Sequence, residues 1–160
     1  MTVAPRIRLR EVEPGDLQSF FEHQADPVAS RMAAFVNDDP LDRSAFDLHW
    51  QRIRADRNIR LRTIEVEEQV VGHVVAYHLR GRRAVGYWID REHWGRGVAS
   101  SALASFLELE TERPLIARVA ADNHGSQRVL SRSGFRREVR LRAWSNARQE
   151  EIEEQLWLLE

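Results

Sequence analysis

Apolar and polar residues alternate through IRLREVE, from Ile7 to Glu13, with the period of a strand that buries one face. PGD breaks that period, and Asp16 stands where a helix cap is expected. Leu17, Phe20 and Phe21 then recur at helical spacing. After Asp39 and Pro40, read as a cap and a first-turn proline, Leu41, Ala45, Leu48 and Ile53 do the same. Two or three short helices are therefore expected before residue 57.

β-branched and aromatic residues dominate from Asn58 to Asp90, with turn signals at Glu67–Gln69 and Arg80–Arg83, so three antiparallel strands are expected. The apolar phase slips within the first of them, from Ile59 and Leu61 to Ile64 and Val66. A strand with one buried face would need a bulge to absorb that slip, and the pattern predicts one near Arg62 and Thr63. Further on, Val98, Ala102, Phe106 and Leu109 form a helical stripe, and Pro114 opens the buried-looking strand PLIARVA. A strand, helix, strand unit of this length joins parallel strands by a right-handed crossover. NHGSQRVLSRSGF reads as a helix closed by Gly134. FRREVRLRAW and EEIEEQLWLLE read as the last two strands. The fold class is α+β: a mixed, mostly antiparallel sheet of six to seven strands with one central parallel pair and about four helices on its faces.

Length and composition narrow the function. A chain of 160 residues suits a single domain spanning 1–160. The 24 basic residues are all Arg and are balanced by 25 acidic ones, for a net charge of −1, which argues against nucleic acid as a partner. With no Lys, self-modification on lysine is excluded. With no Cys, so are disulfides, thiolate metal sites and a cysteine nucleophile. His73 and His78 are five positions apart and so face opposite sides of a strand, which argues against a metal pair. No metal is expected. The first residues lack the apolar core of a signal peptide and no run is long enough to span a bilayer, so the expectation is a cytoplasmic protein with no membrane partner.

The candidate chemistry lies at WGRGVASSAL. Gly95 and Gly97 stand between a β-like run and a helix start made slim by Ala99, Ser100 and Ser101. Unpaired N–H groups and the positive end of the helix dipole would hold a phosphate there, and Arg96 could add a charge-assisted bond. A plain tight turn accounts for the same residues. The sequence contains neither G-x-x-x-x-G-K-[ST] nor G-x-G-x-x-G with a ribose-binding acid, which weighs against nucleoside triphosphates and dinucleotides.

WGRGVASSAL after GYWID, with ADNHGSQRVLSRSGF behind it, resembles the GNAT superfamily of N-acetyltransferases, in the branch related to ribosomal-protein N-terminal acetyltransferases. Gly97 and Ala99 match the end of that family's [QR]-x-x-G-x-[GA] loop, although Trp94 stands where Gln or Arg is usual. Asn123, Ser126, Gly134 and Phe135 match N-x-x-[SA]…G-F. The resemblance implies acetyl-CoA as cosubstrate and a parallel pair splayed to admit it. It implies that the segment Trp94, Gly95, Arg96, Gly97, Val98, Ala99 and Ser100 holds the pyrophosphate, that Asn123 also contacts the cofactor, and that Ile89 and Arg91 offer backbone to the pantetheine.

The resemblance also implies that the Ile89 N–H stabilises the oxyanion and that Ser126 protonates the thiolate, because Leu130 occupies the position where many relatives carry a tyrosine. On a plainer reading, Asn123 caps a helix and Ser126 sits in its first turn. Glu65, His73, His78 and Asp90 are candidate bases. Asp38, Asp39, Asp42 and Asp47 could hold a cationic amine. Arg128, Arg132, Arg136, Arg137, Arg140 and Arg142 could attract a phosphate, although strand alternation makes Arg136, Arg140 and Arg142 a solvated face. The expected reaction moves acetyl directly to a primary amine, on a protein or peptide N-terminus or on a small molecule, in a monomer or homodimer. A catalytically silent acyl-CoA sensor is the alternative. In relatives the N-terminal helices and the loop around SNARQ shape acceptor choice.

Overall fold

The computed structural model describes residues 5–36 and 39–160. β1 (Ile7–Arg10) leads to α1 (Asp16–Ala25), α2 (Pro27–Ala33) and α3 (Arg43–Ala55). β2 (Arg60–Val66), β3 (Gln69–Leu79) and β4 (Arg82–Ile89) follow as an antiparallel meander. Glu67 and Glu68 at one turn, and Arg80 and Gly81 at the other, all have positive φ, as two-residue hairpin loops require. After α4 (Val98–Leu109), β5 (Leu115–Ala120), α5 (His124–Arg132), β6 (Arg136–Ser145) and β7 (Glu150–Leu159) complete a seven-stranded sheet of order β1-β2-β3-β4-β5-β7-β6. Five α-helices are present among the described residues, with three before residue 57.

Both faces of the sheet are covered, which explains the phase slip in β2. Leu61 packs with Phe20, Phe46 and Trp50 under α1 and α3, whereas Ile64 packs with Val98, Leu103 and Phe106 under α4. No bulge is needed at Arg62 and Thr63, and none occurs there. The register instead shifts between Ile64 and Glu65, which oppose Gly72 and Val70, so Val71 on β3 is the extra residue.

Three other local expectations change. Leu109 is exposed, and Leu103 joins Val98, Ala102 and Phe106 on the buried stripe of α4. Asp16 is the first residue of α1 rather than its cap. Burial sets its role: its carboxylate accepts from both Arg10 Nη atoms at 2.7 and 2.8 Å, from Glu13 N at 2.9 Å and from Thr63 Oγ1 at 2.7 Å. Asp42, not Asp39, caps α3 by accepting from Ala45 N at 3.0 Å, while Asp39 closes a turn onto Leu41 N.

One strand pairing positions the site. β4 and β5 are parallel and pair only at Arg83 with Leu115 and Ala84 with Ile116. Beyond that point β5 continues along β7 and β4 continues along β3, so the two strands part and open a gap in the middle of the sheet.

Candidate functional site

The gap begins where β4 loses β5. Asp90 N donates to Val71 O at 2.7 Å, toward β3. Because successive residues of a strand direct their backbone groups to opposite edges, the Ile89 N–H and C=O face the gap. Its carbonyl accepts the Trp94 indole N–H at 2.8 Å. Trp94 thus braces the end of β4 across the Arg91–His93 3₁₀ turn, a role for which a Gln or Arg side chain is not equivalent. Arg91 lies in that turn, not in extended backbone. Its carbonyl accepts from Trp94 N, and its Nε pairs with Asp26 at 2.6 Å.

Gly95 and Gly97 have φ of 73° and 80°, a region costly for L side chains. Gly97 caps α4 with no side-chain bond, and the first intrahelical bond runs from Ser101 N to Gly97 O. The N–H groups of Val98, Ala99 and Ser100 therefore stand at an open helix start. Arg96 is exposed beside them, with no ion pair among the described residues.

On the α4 and α5 side of the gap, Tyr87 Oη lies 2.9 Å from Ser126 Oγ. Burial pushes the phenol up to about 12, against a smaller opposing effect of its bond to Ser126, so at neutral pH it stays protonated. Asn123 caps α5, its Oδ1 accepting from Ser126 N at 3.2 Å, and its Nδ2 donates to Met32 O at 3.4 Å. Both polar ends of the Asn123 side chain are thus engaged inside the protein. Leu130 is buried in the core under α4. No local residue pattern singles out Tyr87, since only the β4 register brings its phenol to Ser126.

The opposite side of the gap carries a cavity of about 160 Å³. Trp88, next to Tyr87 and so on the other face, forms one wall with its cross-strand partner His73. Phe20, Phe46 and Trp50 form the back, with His73 4.8 Å from the Phe20 ring and 4.9 Å from that of Trp50. Phe35 closes it from the β5 side, where it packs with Ala34, Ala120 and Ile152. The SNARQ loop holds that wall: Ser145 Oγ donates to Ala34 O at 2.7 Å, and Arg148 forks onto Asp122 at 2.6 and 2.8 Å. Burial, with smaller contributions from His23 and His49, lowers the His73 pKa to about 3, so its ring is neutral. Its Nδ1 and the Trp88 Nε1 are buried without hydrogen-bond partners among the described residues.

The Acetyltransferase (GNAT) domain family profile matches residues 6–136, which include the gap, the glycine loop and α5. The chain belongs to the GNAT acetyltransferases. It is 27% identical over 150 residues to the uncharacterized N-acetyltransferase YoaA of Bacillus subtilis (strain 168), covering 87% of this chain and 84% of that one. It is 29% identical over 77 residues to the ribosomal-protein-serine acetyltransferase of Escherichia coli (strain K12), covering 43% of this chain and 42% of that one. Mycobacterium smegmatis RimJ in complex with CoA-disulfide shares the fold, with a TM-score of 0.81 at 21% identity over 98% of this chain and 82% of that one.

Within this GNAT fold the other candidates are spoken for. Glu65 is held by Arg10 at 3.0 Å, His78 is exposed on the far side of β3 from His73, and Asp90 caps the 3₁₀ turn. Asp42 caps α3 and Asp47 pairs with Arg43, while Asp38 lies outside the described residues. Arg136, Arg140 and Arg142 pair with Glu160, Glu153 and Glu151 on the exposed edge strand, as a solvated face does. Among the described residues no His, Asp and Glu cluster could hold a metal, and no helix is long and apolar enough to cross a membrane.

Proposed function

We propose that the protein is an acetyl-CoA-dependent N-acetyltransferase that transfers acetyl directly to a primary amine. The observation that carries this reading is the gap between β4 and β5, with an open helix start at its mouth and a different chemistry on each face. The residues present fit the cosubstrate. The cap of α4 has no side chain, so the Val98, Ala99 and Ser100 N–H groups are open to a pyrophosphate. Arg96, with no ion pair among the described residues, adds a positive charge beside them.

The division of labour follows from the two faces. The Ile89 N–H, directed into the gap, donates to the acetyl carbonyl oxygen as that oxygen gains charge. The amine enters from the face of Trp88 and His73, and the thiolate departs toward Ser126 on the opposite face. Ser126 Oγ–H donates to the departing sulfur, the proton shed by the acetylated nitrogen to solvent balances the one that the thiolate gains, and the Tyr87 phenol donates to Ser126 Oγ and fixes its orientation. The amine must arrive neutral, because only the unprotonated nitrogen has a lone pair with which to attack. At pH 7 roughly a tenth of an α-amine is neutral but under a thousandth of a lysine amine, so α-amines are the acceptors this site serves best.

Leu130 in place of tyrosine would by itself favour a silent acyl-CoA sensor. Tyr87 answers that objection, because it brings a phenol to Ser126 from β4. Release of CoA from acetyl-CoA, measured with peptides, amino-acid amides and aminoglycosides, separates the two readings. Turnover with α-amines is expected. CoA binding with silence across the whole panel would establish the sensor.

A further inference from the structure

The cavity on the acceptor face has a chemical character that goes beyond the proposed transfer. Its volume of about 160 Å³ is close to the ~150 Å³ that suffices to enclose a benzene ring. Phe20, Phe46 and Trp50, all buried, give it aromatic walls, and Trp88 and Phe35 close its sides. No Asp, Glu or Arg lines it among the described residues. Its half-buried imidazole, His73, stays neutral throughout the physiological range. A charged group entering this space would leave water without a counter-charge to meet, whereas an apolar ring would replace water with close contacts. Aromatic faces can also hold a cation, but among the described residues nothing of opposite charge lines the cavity to support one.

The position of the cavity says which part of the acceptor it would read. Trp88 immediately precedes Ile89, whose N–H faces the gap, and Phe35 reaches the cavity from the β5 side. The cavity thus spans the two splayed strands beside the place where the amine reacts. We propose that it receives the side chain carried next to the reacting amine and selects an uncharged, ring-sized apolar group over charged or small ones. This rests on the acetyltransferase reading above and adds the class of acceptor. Two sources share that chemistry: a peptide whose first residue is large and apolar, and a free arylalkylamine.

The test measures CoA release with the amides of phenylalanine, leucine, alanine, lysine and glutamic acid, and with phenethylamine. Phenylalaninamide and leucinamide are expected to exceed alaninamide at least tenfold in kcat/KM, and to exceed the charged pair by more. Phenethylamine equal to phenylalaninamide assigns the site to free arylalkylamines, and a strong preference for the amide assigns it to peptide N-termini. His49→Glu, at the exposed rim, sets a carboxylate at the cavity and should raise kcat/KM for lysinamide at least fivefold. A flat ranking, or lysinamide or the glutamic amide ranked first in the natural protein, overturns the proposal.

A second measurement needs no chemistry. Trp50 and Trp88 line the cavity, so phenylalaninamide added to the CoA complex should change tryptophan fluorescence saturably, while alaninamide and lysinamide should not. Saturable binding without turnover would overturn the acetyltransferase reading and leave the cavity assignment standing. Turnover with a flat ranking and no saturable signal would do the reverse.

Discussion

The Tyr87 phenol and the Ser126 hydroxyl lie 2.9 Å apart, joining β4 to the first turn of α5 on the side of the gap away from the aromatic cavity. If this pair serves the leaving thiolate, Ser126→Ala should lower kcat about 100-fold, the lower end of general-acid effects. Tyr87→Phe removes one hydrogen bond to Ser126 and should lower kcat about tenfold with KM for acetyl-CoA unchanged. The double variant should be no slower than Ser126→Ala, because the phenol acts through the serine. A kcat for Tyr87→Phe equal to that of the natural protein would leave Tyr87 a packing residue.

Gly72 lets β3 lie close against β4 beside the reacting position. A Cβ there would stand 2.0 Å from the Trp88 carbonyl oxygen and 3.2 Å from Ile89 Cα. Both obstacles are backbone, so the strands must move. Gly72→Ala should cost about 1–3 kcal/mol in stability by denaturant titration. It should also lower kcat more than it raises KM for acetyl-CoA, since it displaces the Ile89 N–H but not the α4 start.

Burial of His73 makes a pH prediction. Its pKa falls from 6.5 to about 3 on folding, with burial the main cause, so the unfolded chain binds the extra proton first as pH drops. The stability tied to the neutral ring is fully present above pH 6.5 and is lost as pH falls toward 3. Between pH 7 and pH 5 this amounts to about 2 kcal/mol. His73→Phe should flatten the stability curve by that amount over the same range. His23 and His49 are lowered in the same direction, chiefly by burial, and their contribution remains in the variant. An unchanged slope would mean that His73 is not held neutral.

Arg96 is exposed and without an ion pair among the described residues, so its proposed contact with phosphate is a screened, charge-assisted one. Arg96→Ala should weaken CoA binding about tenfold at low salt, measured by calorimetry, and distinctly less at high salt. A loss independent of salt would point to loop structure instead.

What the sequence made legible was local. Gly95 and Gly97 before a slim helix start, and Asn123 ahead of Ser126, are short-range patterns whose geometry their own residues dictate. The three antiparallel strands and the parallel pair followed from turn residues and one crossover, whereas the place of β7 between β5 and β6 did not. Trp94 bracing Ile89 is a local contact across the 3₁₀ turn, but the other features that define the site depend on the register of β4: Tyr87 facing Ser126 and Trp88 facing His73. No spacing rule encodes them. The phase slip in β2 misled for a related reason, since Leu61 and Ile64 serve two different cores and the one-face assumption fails. Asp16 looked like a cap because Asp favours helix starts. Its burial beside Arg10 and Thr63 could be seen only once β1, β2 and α1 were in place.

The central claim is that acetyl-CoA lies in the gap between β4 and β5 with its pyrophosphate on the start of α4. Amide chemical-shift mapping of the ¹⁵N-labelled protein during titration with acetyl-CoA tests it most directly. Saturable shifts are expected at Ile89, at Gly95 to Ser100 and at Ser126, with the edge strand β6 unmoved. Shifts confined to other surfaces, or none at saturating acetyl-CoA, would contradict it.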